Sequence, residues 1–535
     1  MKLRSIFSAS VIAVTAIALA LALAPSAWGQ KRGGTLVMVV AGQPPGFDGH
    51  QEATFAMVHP TAPHYSLLIK ADPTDPTAVK VVPDLATSWK ITEGGKVYTF
   101  KLRRGVKFHD GKPLTARDVV ASFRKLHKPP KGTRSLRKAF FEMIDTISNP
   151  DDYTVVFRLK DSFAAFLNVV SIPFNYVYNA DQLAQNMNWY QKNVLGSGPF
   201  KFVSYSAGSN WVGTRNENYF RKGRPYLDGF EAIFAPKMNL RVQAIRGRRA
   251  MIEFRGFPPA ARDDLKRALG KDIRVQQSTW NCSLLITPNP HKKPFDDERV
   301  RRALSLALDR YLASRTLSRI AIMKTMGQAV FPGHALSLNA EEIQQLPGFG
   351  KDIKANRAEA RRLLKEAGVP EGFEFELHNR AVDQPYKILG TWAVDQWRQI
   401  GLKVEQKAVP TGPWRAGLRK NPPEYEVAID ANCQTVVNPT LDISKFISTD
   451  RSGNNYARYT DRVLDRLYDE NFRETDPVKQ KEILRKFQMR LATKAWIIHT
   501  LWWERIIPHN AAVMGWNISP SHYLNQDLTD VWLNE

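Results

Sequence analysis

The chain has 535 residues, too many for one hydrophobic core, so at least two domains are expected. Apolar residues make up 43% and aromatics 10%, which excludes general disorder. The formal charge is +24, yet the densest basic clusters (101–104, 246–249 and 299–302) each border an apolar pattern as solvated faces do; no long basic tract with interleaved aromatics appears, which argues against a nucleic-acid partner.

Lys2 and Arg4 precede an apolar run over 6–24, and Ala27-Trp28-Gly29 puts small residues at the −3 and −1 positions of a cleavage before Gln30. The run is nearly long enough to span a bilayer, so an uncleaved anchor is the alternative. No cysteine follows the cut, so a lipid anchor is not expected, and no later segment approaches a membrane span. The mature chain is expected to be exported, with a charge of +22 once Lys2 and Arg4 are removed. Export permits a disulfide, but Cys282 and Cys433 carry no framework pattern and are expected to be two buried free thiols.

Residues 33–40 read as a first buried strand, 41–50 as a turn-rich loop, and 54–69 as a helix with Tyr65, Leu67 and Leu68 inward. Glu93-Gly94-Gly95 predicts a hairpin turn before an alternating strand over 97–102. Thr115 and Asp118 predict a capping box opening a helix with Val119, Val120, Phe123 and Leu126; losing such a cap costs about 1 kcal/mol, which makes Thr115 a folding residue. Tyr153, Val155, Phe157 and Leu159 alternate as a strand, and Ser162 is placed as the cap of the next helix. After Gly196-Ser197-Gly198-Pro199, strands follow around Phe200, Trp211 and 227–235.

The middle stretch, 278–310, has an apolar run over 282–286, then Pro288, Asn289, Pro290 and Pro294. Asp296 or Asp297 then caps a helix with the stripe Val300, Ala303, Leu304, Ala307 and Leu308. These residues alone leave open a crossing between two globular units or an ordinary loop inside one. Beyond it, Asn356 is placed as the cap of a helix stopped by Gly368; strands are expected at 373–377, 403–409 and 425–429, and a helix at 385–400. Residues 462–494 read as mostly helical, 495–507 as an apolar strand, and 514–535 as a docked tail with Trp516, Tyr523 and Trp532. The alternation predicts an α/β protein, and no internal repeat is visible.

No catalytic signature survives inspection. Gly196-Ser197-Gly198 lacks the spacing of a nucleophile elbow, there is no HExxH or CxxC, and His109, His127, His291 and His334 stand apart. A secreted hydrolase whose groups meet only in space remains the alternative, with a basic surface-binding or chaperone-like protein as a third reading. Thirteen tryptophans are more informative. Trp392 and Trp397 fit a helix core, whereas Trp280, Trp502 and Trp503 sit beside the segments suspected of crossing between units, where aromatics line ligand clefts.

Four stretches together resemble one family: 82–89 continuing through YTFKLRRGVKFHDGKPLTARDVVASF, then GSGPFKFVSYSAGSNWVGTRNENYF, PFDDERVRRALSLALDR, and ARRLLKEAGVPEGFEF. The chain is similar over 31–535 to the extracytoplasmic solute-binding proteins of family 5, the peptide and nickel receptors of ABC importers. The resemblance implies a two-lobed periplasmic-binding-protein (Venus flytrap, type II/cluster C) α/β fold. Lobe 1 would be 30–284 plus 506–535 with an extra subdomain at about 60–190, and lobe 2 would be 285–505. The crossings would be 279–289 and 499–510. It further implies a periplasmic monomer, no catalytic role, no cofactor, and ABC permease subunits of the inner membrane as partners.

Peptide-binding members resemble one another in a stretch Arg-Ala-Gly-Trp-x-x-Asp-Tyr-x-x-Pro, whose aspartate pairs with the peptide α-ammonium. Here the aligned residues are 429–439, with Ile429 for the arginine, Asn432 for the tryptophan and Thr435 for the aspartate. Asp430 would point to the opposite strand face from Thr435. An ammonium left unpaired in a closed cleft costs several kcal/mol, so the expected ligand is peptide-like or another small organic solute without a free α-amine, and anionic if the basic charge is a guide. The expected binding residues are Trp280, Asn281, Trp414, Asn432, Cys433, Gln434, Thr435, Trp502 and Trp503. No His/Cys cluster suits a bare nickel ion, which leaves a metal chelate open.

Overall fold

The protein is described here from a computed structural model covering residues 30–535, the side chains of 383, 411 and 412 excepted. The leader expected at 1–29 lies outside the described residues.

Three larger sheets organise the chain. In the first, Thr35–Val40 pairs in parallel with Gly229–Phe234, which continues antiparallel to Asn210–Arg215 and Phe200–Ser206. The second is an antiparallel sheet in the order Ala86–Thr92, Val97–Leu102, Thr154–Leu159, Ile144–Asp151. Helix Ala116–His127 packs on it, opened by the Thr115/Asp118 capping box. The third has six strands in the order Met323–Met326, Ile498–Asn510, Ile273–Pro288, Val427–Cys433, Glu374–Arg380, Lys403–Val409.

Two of those strands are far longer than a single sheet needs. Ile273–Pro288 has 16 residues and Ile498–Asn510 has 13. They pair antiparallel from Ile273↔Asn510 to Ile286↔Ile498, with register breaks between Thr279 and Ser283 and again before Leu285. At one end Ile507 joins the apolar cluster of the first sheet, with Leu36, Phe230 and the tail residues Trp516 and Leu533. At the other end Leu284, Ile286, Ile498 and Leu501 join the core of the six-stranded sheet. The two strands therefore run continuously from one core into the other, with Asp297 capping the helix Glu298–Leu306 that follows.

Local chemistry moves several expected boundaries. The helix expected over 54–69 ends at Thr61 and gives way to the single 3-10 turn Ala62–His64, because Pro60 and Pro63 withhold backbone donors. Ser162 does not cap a helix; that helix runs Phe166–Val170 from Ala165. Asp352, not Asn356, caps Ile353–Glu366, accepting from Ala355 N while Asn356 lies inside the first turn. The helix expected from Pro385 begins at Ile388 after a π-turn. Gly196 and Gly198 serve close packing: a Cβ on Gly196 would lie 1.9 Å from the His64 carbonyl oxygen, and one on Gly198 2.5 Å from the His64 carbonyl carbon.

The expectation of two free thiols is wrong. Cys282 and Cys433 are directly opposed in the ladder and joined in a disulfide. Sequence separation of 151 residues hid a pair that neighbouring antiparallel strands bring together. By chain entropy, removing a link that closes a loop of 151 residues should cost about 5 kcal/mol. Urea denaturation of the Cys282→Ser/Cys433→Ser protein measures this, and thiol labelling of the unreduced, denatured wild type should find none; two labelled thiols would refute the link.

Candidate functional site

The crossing strands carry a file of rings that starts in the core of the six-stranded sheet, which includes Trp414, Tyr386, Trp503 and Trp280, and ends in the C-terminal tail, where Tyr523 packs against the core of the second sheet. Trp414, on the helix Thr411–Arg419, lies 5.8 Å from Tyr386, which lies 6.4 Å from Trp503. Trp503 meets Trp280 edge-on at 5.2 Å, and Trp280 meets His522 of the C-terminal tail at 5.1 Å. Tyr523 continues the file, 3.9 Å from His522. Aromatic pairs in these geometries are favourable beyond their buried area, so the file is rigid as well as apolar.

The residues expected around position 435 form a strap beside this file. Asn281 donates from its backbone to Pro520 O (2.8 Å) and from Nδ2 to Val436 O (3.1 Å), and accepts from Gln434 N (3.2 Å). Ser521 Oγ donates to Thr435 O (2.8 Å), tying the strap to the tail. Asn432 Nδ2 donates to Asp442 O, and Gln434 Nε2 to Leu441 O and Asn432 Oδ1, so both amides fold the strap back on itself. Cys433 has its sulfur in the disulfide. Thr435 Oγ1 makes no hydrogen bond among the described residues. Trp502 lies apart from the file: it is 1% exposed, packs against Phe331 and donates from Nε1 to Gln328 O. The structure thus gathers Trp280, Asn281, Trp414, Thr435 and Trp503 near the tail, and uses Trp502, Cys433 and the amides of Asn432 and Gln434 in internal bonds.

Sequence reasoning missed Arg255, Phe55, Tyr386 and His522, and placed Tyr523 only in the docked tail. Their segments carry no motif; they meet because 251–257 runs along the first sheet, with Met251 N bonded to Val37 O and Phe257 N to Ile506 O. Phe254 is buried, which turns Arg255 to the other side of the chain. The Arg255 guanidinium lies over Phe55 at 4.9 Å and near Trp280 at 5.8 Å. It makes no hydrogen bond or ion pair with the described residues, and burial lowers its pKa.

Nearby acids are engaged elsewhere. Asp430 pairs with Lys445 at 2.7 Å and accepts from Thr287 Oγ1; Glu504 pairs with Lys324; Glu253 accepts from Gly256 N. Asp442 is buried, accepts from Phe331 N, and is pushed up to about 8 by desolvation. A small recess of about 40 Å³ is lined by Tyr523 together with Tyr65, Lys70, Asp84, Tyr176 and Asp527 among others. Its charges are satisfied, Lys70 by Asp527 and Asp84 by Arg221.

Among the described residues there is no group of three His, Cys, Asp or Glu side chains suited to a metal ion. No Ser, Thr or Cys side chain there hydrogen bonds to a histidine ring, which leaves the hydrolase alternative without a nucleophile–base pair. No described helix is long and apolar enough to cross a membrane.

Comparison with known proteins gives the family and the fold. Residues 80–454 match the family model of the bacterial extracellular solute-binding proteins, family 5. Di/tripeptide-binding protein 1 of Pseudomonas aeruginosa is 27% identical over 480 residues, covering 85% of this chain and 86% of that one. Heme-binding protein A of Haemophilus influenzae is 28% identical over 473 residues, covering 83% of each. The periplasmic binding protein DppA of Helicobacter pylori, solved in complex with the peptide STSA, superposes with a TM-score of 0.78 at 23% identity, covering 94% of this chain and 99% of that one. The fold is therefore the two-lobed α/β Venus flytrap, and the chain belongs to the bacterial extracellular solute-binding proteins of family 5.

Proposed function

We propose that this protein is the extracytoplasmic receptor of an ABC importer, which closes two lobes on a solute and delivers it to permease subunits in the inner membrane. The lobes in this reading are 30–284 plus 506–535, with a subdomain at about 60–190, and 285–505. The leader is cleaved before Gln30, and the mature receptor is a periplasmic monomer without enzymatic activity. One observation carries the reading: two long strands run from one core to the other, and the file from Trp414 to Tyr523 lies where they cross. Lobe closure about such a crossing is stabilised by a ligand's greater affinity for the closed state.

The ligand in this reading is peptide-like or another small organic solute without a free α-amine. The named relatives bind di- and tripeptides or heme, and the solved neighbour holds a peptide. In this chain Thr435 stands at the position of the peptide-pairing aspartate, the acids near the strap are already bonded, and an ammonium would face Arg255 instead. Titration of the purified mature protein with free di- and tripeptides and with amine-blocked solutes, read by tryptophan fluorescence and melting temperature, tests this. Amine-blocked solutes should respond and free peptides should not; tight binding of ordinary dipeptides would refute the ligand class.

A further inference from the structure

We propose that the ligand carries a carboxylate on a flat organic body, and that this carboxylate docks between the Arg255 guanidinium and the Nε2–H of His522, with the body against Trp280 and Phe55. The proposal rests on the receptor reading above and narrows its ligand class.

The first support is a surplus of donors. Trp280 Nε1–H donates to His522 Nδ1 at 3.0 Å. An indole nitrogen can only donate, so Nδ1 must present its lone pair, and the neutral ring carries its proton on Nε2. No described group accepts from that Nε2–H. Protonation of both nitrogens is opposed by burial, Arg255, His59 and Arg505. The Trp503 and Trp414 Nε1–H groups of the same file are likewise buried without acceptors. Arg255 adds five further N–H donors and uses none of them on the described residues. An acceptor-rich ligand would complete such a site.

The second support is the contrast with the arginines of the scaffold. Arg505 donates to the backbone carbonyls of Phe254, Arg255 and Ser519. Arg310 donates to His499 O, Ser305 O and Gly348 O, and Arg301 to Phe295 O, Asp296 O and Lys494 O. Those three are at most 1% exposed and satisfied by carbonyls. Arg255 is partly exposed and satisfied by none. Its turn is nevertheless held firmly. Arg505 clamps the carbonyls on either side of its amide, Gly256 has φ +125°, and a Cβ there would lie 3.1 Å from Ile506 O. A fixed backbone presenting an unpaired, planar guanidinium against aromatic faces suits a carboxylate taken in two-pronged fashion.

Three probes of similar shape separate the contributions: N-benzoylglycine, its uncharged amide, and the free dipeptide Phe-Gly. Calorimetric titration of the wild type should show the acid binding about 10- to 100-fold tighter than the amide. Arg255→Gln should bring the acid down to the amide's affinity and leave the amide unchanged, with an unaltered melting temperature reporting an intact fold; Arg255→Lys should recover part of the difference. Equal binding of acid and amide, or acid binding unchanged in Arg255→Gln, overturns the proposal. Saturable binding of Phe-Gly that ignores Arg255→Gln overturns the anion seat and keeps the receptor reading. Silence toward all three probes also overturns the anion seat; the receptor reading then falls separately, if the wider panel of the preceding subsection is silent too.

Discussion

Acidification from about pH 6.5 to pH 5 should remove about 5 kcal/mol of stability, a large share of what a typical protein possesses. His50, His59, His64 and His499 are each at most 2% exposed, and burial brings each of them down to about 3. Their bonds fit only the neutral ring or leave it isolated. His64 Nδ1–H donates to Phe200 O, and its Nε2 must accept from Trp211 Nε1–H at 2.8 Å, so a second proton would break that bond. His499 has no partner for either nitrogen, and the nearby cations Arg310 and Lys445 oppose its charging. The sign follows from linkage: below about 6.5 the unfolded chain binds protons that the native state refuses, so stability is lost as pH falls towards about 3. Each group contributes about 1.4 kcal/mol per pH unit, and the four together about 5 to 6. Asp442 works the other way, because its native pKa of about 8 makes the folded state the better proton binder between its ordinary value and 8. It offsets about 1.4 kcal/mol per unit, and it makes stability decline gently above neutrality, which puts the maximum near pH 6.5–7. Urea unfolding at half-unit intervals from pH 5 to 8 measures the slope. A free energy constant to within about 1 kcal/mol between pH 5 and 6.5 would show that these rings are charged in the native state.

Much of the scaffold was legible because its signals are local. The capping box at Thr115 and the Asp297 cap each depend on a side chain and a backbone group a few residues away, and the hairpin turn at Glu93-Gly94-Gly95 on adjacent residues. Family stretches added the topology. What escaped was set by contacts between distant segments. Cys282 and Cys433 become neighbours through strand register, and His522 acquires its tautomer from Trp280, 242 residues away in sequence. Arg255 has no sequence signature, since its environment is made by the strand Ile498–Asn510, the tail and Phe55 together. Asn432 and Gln434 were expected to bind ligand, but residue type alone does not say whether an amide serves a ligand or its own loop. Here the strap consumes both.

The disulfide and the strap together give this crossing a mechanical logic. Cys433 is the last residue of its strand, and the next residue bonds to Asn281, the neighbour of Cys282. Covalent closure there fixes the point from which 434–442 leaves the sheet, while Ser521 holds the far side through Thr435 O. Residues beside the file are thus positioned from both cores at once, which is the arrangement a cleft needs if its walls are to meet only in the closed state.

Replacing Lys125 with methionine should cost about 3–5 kcal/mol, the usual penalty for removing one partner of a buried ion pair. The helix Ala116–His127 carries two buried faces. The apolar stripe Val119, Val120, Phe123 and Leu126 was readable; Asp118, Ser122 and Lys125, spaced four and three apart on a second face, are all buried too. Each is satisfied by a distant segment. Asp118 Oδ1 accepts from Ala180 N, Ser122 Oγ accepts from Tyr178 N, and Lys125 Nζ donates to Asp48 Oδ2 at 2.5 Å. Asp48 also accepts from Gln51 Nε2, the Tyr178 hydroxyl and His50 N. Although burial alone would raise it, Lys125 and these donors hold the Asp48 carboxyl below its usual range. Methionine matches the lysine stem and removes the charge, leaving an ionised carboxylate with neutral donors alone in the interior. The compensating change distinguishes charge from shape: Asp48→Asn alone should be costly, whereas Lys125→Met with Asp48→Asn should recover more than half of the summed losses, a coupling of about 2 kcal/mol or more. Urea denaturation of the four proteins at pH 7 closes the cycle. If the double variant is as unstable as the two losses added together, the pair is not coupled, and the burial of this face is held by Ser122 and Asp118 alone.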